Sequence, residues 1–140
     1  MSWLRAVARA GPLLALLVSG GDSVADGQRR FALLVGNDEG GADTRALRYA
    51  AQDARRVHAV LTQLGGVAPG DALLLVNHSA GELWRALAGL EARIADARAH
   101  GDRALLIFYY SGHAKDGELR LGESRIRLAD LKAHLGSGVA

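Results

Sequence analysis

The chain has 140 residues, 49% of them apolar, a formal net charge of +2 and no cysteine. That length holds one domain around one core, and that apolar fraction excludes a disordered tail. Charges of both signs are mixed along the chain without a like-charged block, and no aromatics interleave with basic residues, which excludes a nucleic-acid-binding stripe.

Residues 1–25 have the three-part layout of an export signal. Arg5 and Arg9 come first, then the apolar stretch from Ala10 to Val18, then the small-x-small step Ser23-Val24-Ala25. Cleavage after Ala25 and a periplasmic or extracellular protein are expected. The apolar stretch is shorter than the roughly 20 residues that cross a bilayer, so no membrane span is expected. An exported chain often carries disulfides. This one has no cysteine to form them, so packing alone must hold the remaining residues, 26–140.

Arg29 to Gly36 is a short apolar run closed by glycine, the pattern of a strand buried on both faces. Asn37 to Thr44 is a polar, Gly-rich loop, and Asp43 or Thr44 is placed to cap a helix. From Arg45 to Leu64, Leu47, Ala50, Ala51, Ala54, Val57, Val60, Leu61 and Leu64 recur at helical steps. Gly65-Gly66 ends that helix and Pro69-Gly70 makes a turn. Asp71 to Asn77 is a second buried strand. Ser79-Ala-Gly-Glu82 has capping-box spacing and opens a helix with Leu83, Leu87, Leu90 and Ile94 on one face. Arg103 to Tyr110 is the third strand.

Strand, helix, strand, helix, strand reads as two consecutive βαβ units. The expected fold class is α/β: a three-layer, Rossmann-like parallel sheet with flanking helices. After His113 the period changes to two. Asp116-Gly117 is a turn, and Glu118 to Gly122 with Ser124 to Leu128 reads as an exposed hairpin. Leu128, Leu131 and Leu135 begin a last short helix. Three parallel strands leave an edge uncovered, which predicts marginal stability and association through that edge.

In an open α/β sheet, ligands sit beyond the carboxyl ends of the strands. Gly36–Thr44, Asn77–Ala80 and Ser111–Lys115 should meet there. His113 is the side chain best suited to proton transfer near neutral pH. The slim backbone at Gly112 and Ala114 can aim a peptide N–H at a developing oxyanion. Gly36-Asn-Asp-Glu-Gly-Gly41 has neither dinucleotide nor P-loop spacing, and no cofactor is expected. Asp38, Glu39 and Asp43 leave open a small-ligand or metal-binding domain. His58, His78, His100 and His134 show no paired metal spacing. No Gly-x-Ser-x-Gly points to a serine hydrolase.

Tyr109-Tyr110-Ser111-Gly112-His113-Ala114 resembles the histidine motif of the caspase, metacaspase and paracaspase group of cysteine peptidases. Phe31 to Asn37 resembles that group's first strand, and Leu47-Arg-Tyr-Ala-Ala-Gln-Asp53-Ala54 its first-helix signature. The hairpin and short helix follow in the same order. The likeness spans roughly residues 29–135 and is greater to the bacterial metacaspase-like branch than to animal caspases. It implies a caspase-like fold and a Cys–His dyad acting on a peptide or protein substrate. By that likeness His113 is the dyad base and the Ala114 N–H an oxyanion donor, at a position usually glycine. Ser111 would line the substrate pocket, and Asp53 would match an acidic pocket residue selecting Arg or Lys at the cleavage site. The family nucleophile follows on a fourth strand in an Asp-x-Cys-like context, after the helix near Leu128. The expectation is therefore the N-terminal part of a catalytic domain, truncated after the third core strand and hairpin and inactive alone. The alternative is a pseudopeptidase that binds peptides or partners without cutting them.

Overall fold

The structure is a computed structural model, and it describes the backbone of residues 12–19 and residues 28–138. The predicted signal's charged start and its Ser23-Val24-Ala25 step lie outside the described residues. In chain order the elements are β1 (Pro12–Ser19), β2 (Gln28–Gly36), α1 (Ala50–Gln63), β3 (Ala72–Val76), α2 (Ala80–Ala99), β4 (Arg103–Lys115), β5 (Glu118–Leu121), β6 (Ser124–Arg127) and α3 (Leu128–Gly138). A single 3-10 turn, Pro69–Asp71, leads into β3.

The three apolar runs form the expected parallel sheet in the order β3-β2-β4. Leu33 lies opposite Leu73, and Leu34 opposite Tyr109. These strands have no polar face because helices cover both sides. Phe31, Leu33, Val35, Leu106, Phe108 and Tyr110 face α2 through its buried Leu83, Leu87, Leu90 and Ile94. The alternate residues Ala32, Leu34, Ile107 and Tyr109 face α1 around Ala54. Strand alternation therefore directs Tyr109, Ser111 and His113 to the α1 side. The capping box that opens α2 is formed: Ser79 accepts from the Glu82 N–H, and Glu82 reaches back to the Ser79 N–H. Those bonds and nearby His78 hold the Glu82 carboxyl down to about 2.

The outer edge of β3 has no neighbour among the described strands, and in the full chain β1 runs antiparallel along the outer side of β4, from Pro12 opposite His113 to Ser19 opposite Leu106. Three expectations need correction. Strand β4 does not stop at Tyr110. It continues to Lys115 and passes from the parallel sheet into the hairpin ladder of β5 and β6. That hairpin is not exposed, since Leu119, Leu121 and Ile126 are buried in the α2-side core, together with Leu131 of α3. Helix α1 begins at Ala50 instead of Arg45. Its first turn sits directly on the end of β2: a Cβ added at Gly36 would lie 2.5 Å from the Ala50 carbonyl oxygen and 2.7 Å from the Ala54 Cβ. Only glycine on the strand, facing alanines on the helix, permits this approach.

Candidate active site

The three parallel strands are tied together at their carboxyl ends by main-chain bonds. The Asn37 N–H donates to the Ser111 carbonyl and the Asn77 N–H to the Gly36 carbonyl, both at 2.9 Å. The buried Asn37 side chain donates through Nδ2 to the His78 carbonyl at 3.1 Å. Asp38 then shapes the following loop. Its N–H donates to Asn77 Oδ1 at 2.9 Å, and its Oδ1 accepts the Ala51 N–H at 3.1 Å. Asp38 is thus the cap of α1, delivered from outside the helix. Neither Asp43 nor Thr44 takes that role. The Thr44 hydroxyl donates to the Gly41 carbonyl, and Asp43 faces Arg120 and Lys115.

Because α1 starts late, the segment before it is irregular, and a main-chain carbonyl there can accept from a side chain. One of them orients the histidine: His113 Nε2 lies 2.6 Å from the Arg45 carbonyl oxygen. A carbonyl only accepts, so Nε2 carries the hydrogen. In the neutral ring the lone pair is then on Nδ1, which is the basic atom left to react. Gly40 lies against the imidazole. A Cβ added there would stand 2.7 Å from the His113 Cβ and Cδ2.

The backbone on either side of the ring is also held. The Tyr110 hydroxyl passes beneath Gly112 and lies 2.8 Å from the His113 carbonyl and 2.6 Å from the Arg120 carbonyl. Burial raises the Tyr110 phenol far above its ordinary range, so it stays a neutral donor. A Cβ on Gly112 would come within 2.5 Å of that hydroxyl oxygen. The small residue in Ser111-Gly112-His113 is therefore required by the tyrosine two positions earlier.

Ala114 pairs with Leu119, and Lys115 pairs with Glu118 across the turn at Asp116 and Gly117. Both turn residues have positive φ, 54° and 75°, as a two-residue type I′ hairpin demands. The pair that closes such a hairpin exchanges both hydrogen bonds, and the next pair exchanges none. The Ala114 N–H accordingly points away from β5, to the side of β4 along which β1 runs as far as His113.

Ser111 is buried and shares its face with Tyr109. Burial raises the Tyr109 phenol, and the charge of Asp53 raises it further, while a hydrogen bond with the Ser111 side chain opposes both. Asp53 is half-buried on α1, and its ion pair with Arg56 is long at 3.8 Å. Asp53, Ser111 and His113 thus lie on the same side of the sheet, with Tyr109 between the first two. A cavity of about 250 Å³ is lined by the loop that carries Gly40, through Glu39, Gly40, Gly41, Thr44 and Ala46 among others. Asp38 and Asp43 turn to different partners, and no cluster of metal-ligating side chains occurs among the described residues.

A family model described as the caspase domain matches residues 29–129, a span that runs from β2 to the start of α3. This chain belongs to the caspase domain family. Neither a curated protein nor a solved structure matches it. The caspase domain match takes in the whole His113 constellation: the β2 end, the loop carrying Gly40 and Arg45, the first turn of α1, and the hairpin. It is a peptidase family, yet no thiol is present in these 140 residues. No helix among the described residues is long and apolar enough to cross a membrane.

Two features of this caspase domain carry no side-chain signal and are not legible in the sequence. The Arg45 acceptor is a main-chain atom inside a segment whose pattern reads as helix. The Gly40 contact depends on how the loop folds back over β4, although the Gly40-Gly41 pair marks the loop as one that can approach closely.

Proposed function

We propose that this chain supplies the histidine half of an exported cysteine endopeptidase site, with the thiol coming from sequence outside these residues. The observation that carries the reading is the His113 ring, fixed through Nε2–H to the Arg45 carbonyl with Nδ1 left as base. Nδ1 takes the thiol proton, and the thiolate attacks the substrate carbonyl. The Ala114 N–H donates to the oxyanion that forms. The imidazolium keeps its Nε2–H bond to Arg45, which stabilises the positive charge, and then gives the Nδ1 proton to the leaving amine. Water, activated by the same nitrogen, releases the acyl group and restores the thiol. Asp53, with Ser111 beside it, is the candidate anchor for an Arg or Lys side chain at the cleavage site.

The test uses the natural reading frame that contains this sequence. Its product should cleave fluorogenic Arg- and Lys-containing peptides, and His113→Ala should lower kcat by roughly 10²–10⁴-fold. Asp53→Asn should raise KM for those peptides. Unchanged turnover in His113→Ala overturns the assignment. The cysteine-free sequence favours one other reading, a cleft that binds peptide without cutting it. A product that binds such peptides and has no thiol at the site would select that reading.

A further inference from the structure

Arg120 lies on β5 between the buried Leu119 and Leu121, and it is itself only 4% exposed. A guanidinium does not lose its proton in a protein, so burying one demands an anion. The anion it has is poor. Arg120 Nη1 stands 3.4 Å from Asp43 Oδ1, and Lys115 Nζ stands 3.7 Å from Asp43 Oδ2. Good charge-assisted bonds are about 2.7–2.9 Å. The Arg120 Nε is buried with no hydrogen-bond partner at all. A well-made internal ion pair leaves no such donor behind.

The space beside this guanidinium is open. A cavity of about 300 Å³ is lined by Gly41, Ala42, Asp43, Arg120, Gly122 and Arg125, with Glu123 at its side. Its wall is built for close approach: Gly41 has φ +100° and Gly122 φ +60°. It is also fixed to the active site, because the Gly122 N–H donates to the Glu39 carbonyl at 2.9 Å and the next residue, Gly40, covers His113. Asp43 is half-exposed on the same loop and can swing aside.

We propose that this cavity is a subsite for a peptide carboxylate, held by Arg120 and Arg125, in which Asp43 keeps the place when no peptide is bound. The term peptide rests on the function proposed above; the carboxylate recognition does not. A carboxylate offered end-on can meet Arg120 Nε and Nη together, which Asp43 does not do. The carboxylate can be an aspartate or glutamate side chain or a chain terminus, and the two are separable by probe.

The experiment is an NMR titration of the 140-residue chain, following the Arg120 Nε–H signal and the Gly41 and Gly122 amides. It needs neither a thiol nor cleavage, so it stands or falls apart from the peptidase reading. Acetyl-aspartate N-methylamide presents only a side-chain carboxylate, and acetyl-alanine only a terminal one. Saturable shifts of the three signals with either probe are expected, and the responsive probe names the source. Acetyl-asparagine N-methylamide should bind at least tenfold more weakly. Asp43→Asn should tighten binding severalfold by removing the internal competitor. Arg125→Gln, at a half-exposed position, should weaken it severalfold, and Arg120→Gln should abolish it. No shifts with either carboxylate overturn the proposal, as do equal shifts with the asparagine probe. Tighter binding of acetyl-arginine N-methylamide overturns it too, since Asp43 and Glu123 would then be the ligands. Unchanged or weaker carboxylate affinity in Asp43→Asn also defeats it, and that variant does not touch the buried arginine.

Discussion

Tyr110 and Gly112 hold the histidine segment as a pair. The phenol crosses under Gly112 to reach the His113 and Arg120 carbonyls, and a methyl group on Gly112 would meet the hydroxyl oxygen at 2.5 Å. Overpacking of this kind costs about 1–3 kcal/mol. Losing the hydroxyl in Tyr110→Phe removes the one proton that the two carbonyls share and costs about 1–2 kcal/mol. The added methyl group also meets the ring carbon Cζ at 2.7 Å, so Gly112→Ala should add nearly in full to Tyr110→Phe. In a Tyr110→Leu background both atoms are gone, and Gly112→Ala should cost about 1 kcal/mol less there than in the wild type. Urea unfolding of the single and double variants measures this. Full additivity with Tyr110→Leu would mean that the ring does not lie beneath Gly112.

Between elements, Asp71 braces three of them at the amino end of the sheet. It stands at the entry to β3 and is 2% exposed. Arg29 of β2 donates Nε to Oδ2 at 2.7 Å and Nη2 to Oδ1 at 3.0 Å. Arg93 of α2 adds a bond to Oδ1 and another to the Gly70 carbonyl. The Arg29 bond is the main cause holding the Asp71 carboxyl below its ordinary 3.8, with Arg93 assisting. Above about pH 5 the carboxylate is ionised folded and unfolded, and its contribution is complete. As pH falls through the unfolded value the unfolded chain takes the proton first, so stability drops, and below the folded value the contribution is gone. Asp71→Asn removes the charge and should cost about 1–3 kcal/mol at pH 7, the partners being partly solvated. The gap between wild type and variant should close as pH falls from about 5 towards 3. A gap constant across that range would show that the carboxylate charge is not what braces the elements.

The same elements show what a sequence can and cannot carry. Three apolar runs separated by helical stripes are enough to give the parallel sheet, because burial on both faces leaves no other pattern. Periodicity misplaces the start of α1 because Leu47 continues the helical stripe, while the true cap, Asp38, sits twelve residues before Ala50 and reaches the helix only through the loop. The hairpin reads as exposed because Arg120, Arg125 and Arg127 alternate with leucine and isoleucine. Alternation reports that two faces differ. It does not report that the loop at Gly41 to Asp43 covers the arginine face at Arg120. Of the active site, Ser111-Gly112-His113 and its place at a strand end are legible. The acceptor that orients the ring is not, since every residue has a carbonyl.

For the molecule as a whole, the decisive element is β1. It occupies the outer side of β4 from Leu106 to His113, the edge that three parallel strands alone would leave open. Its residues, Pro12–Ser19, fall within the stretch read as an export signal. Removal of residues 1–25 would strip that strand and present the β4 main chain, in the most apolar run of the sheet, to any other strand. Unpaired edges of this kind pair with one another. The 26–140 form should therefore associate with rising concentration in sedimentation velocity and should unfold at lower urea than the full chain, which should remain monomeric. The outer edge of β3 is the same in both forms, so any difference between them belongs to β4. If both forms are monomeric and unfold together, β1 does not hold the edge. If the shorter form associates, a charged residue at Ile107, whose side chain faces α1, would unfold it before it blocked pairing. An N-methyl group on the β4 backbone would block pairing alone, and should return the 26–140 form to a monomer.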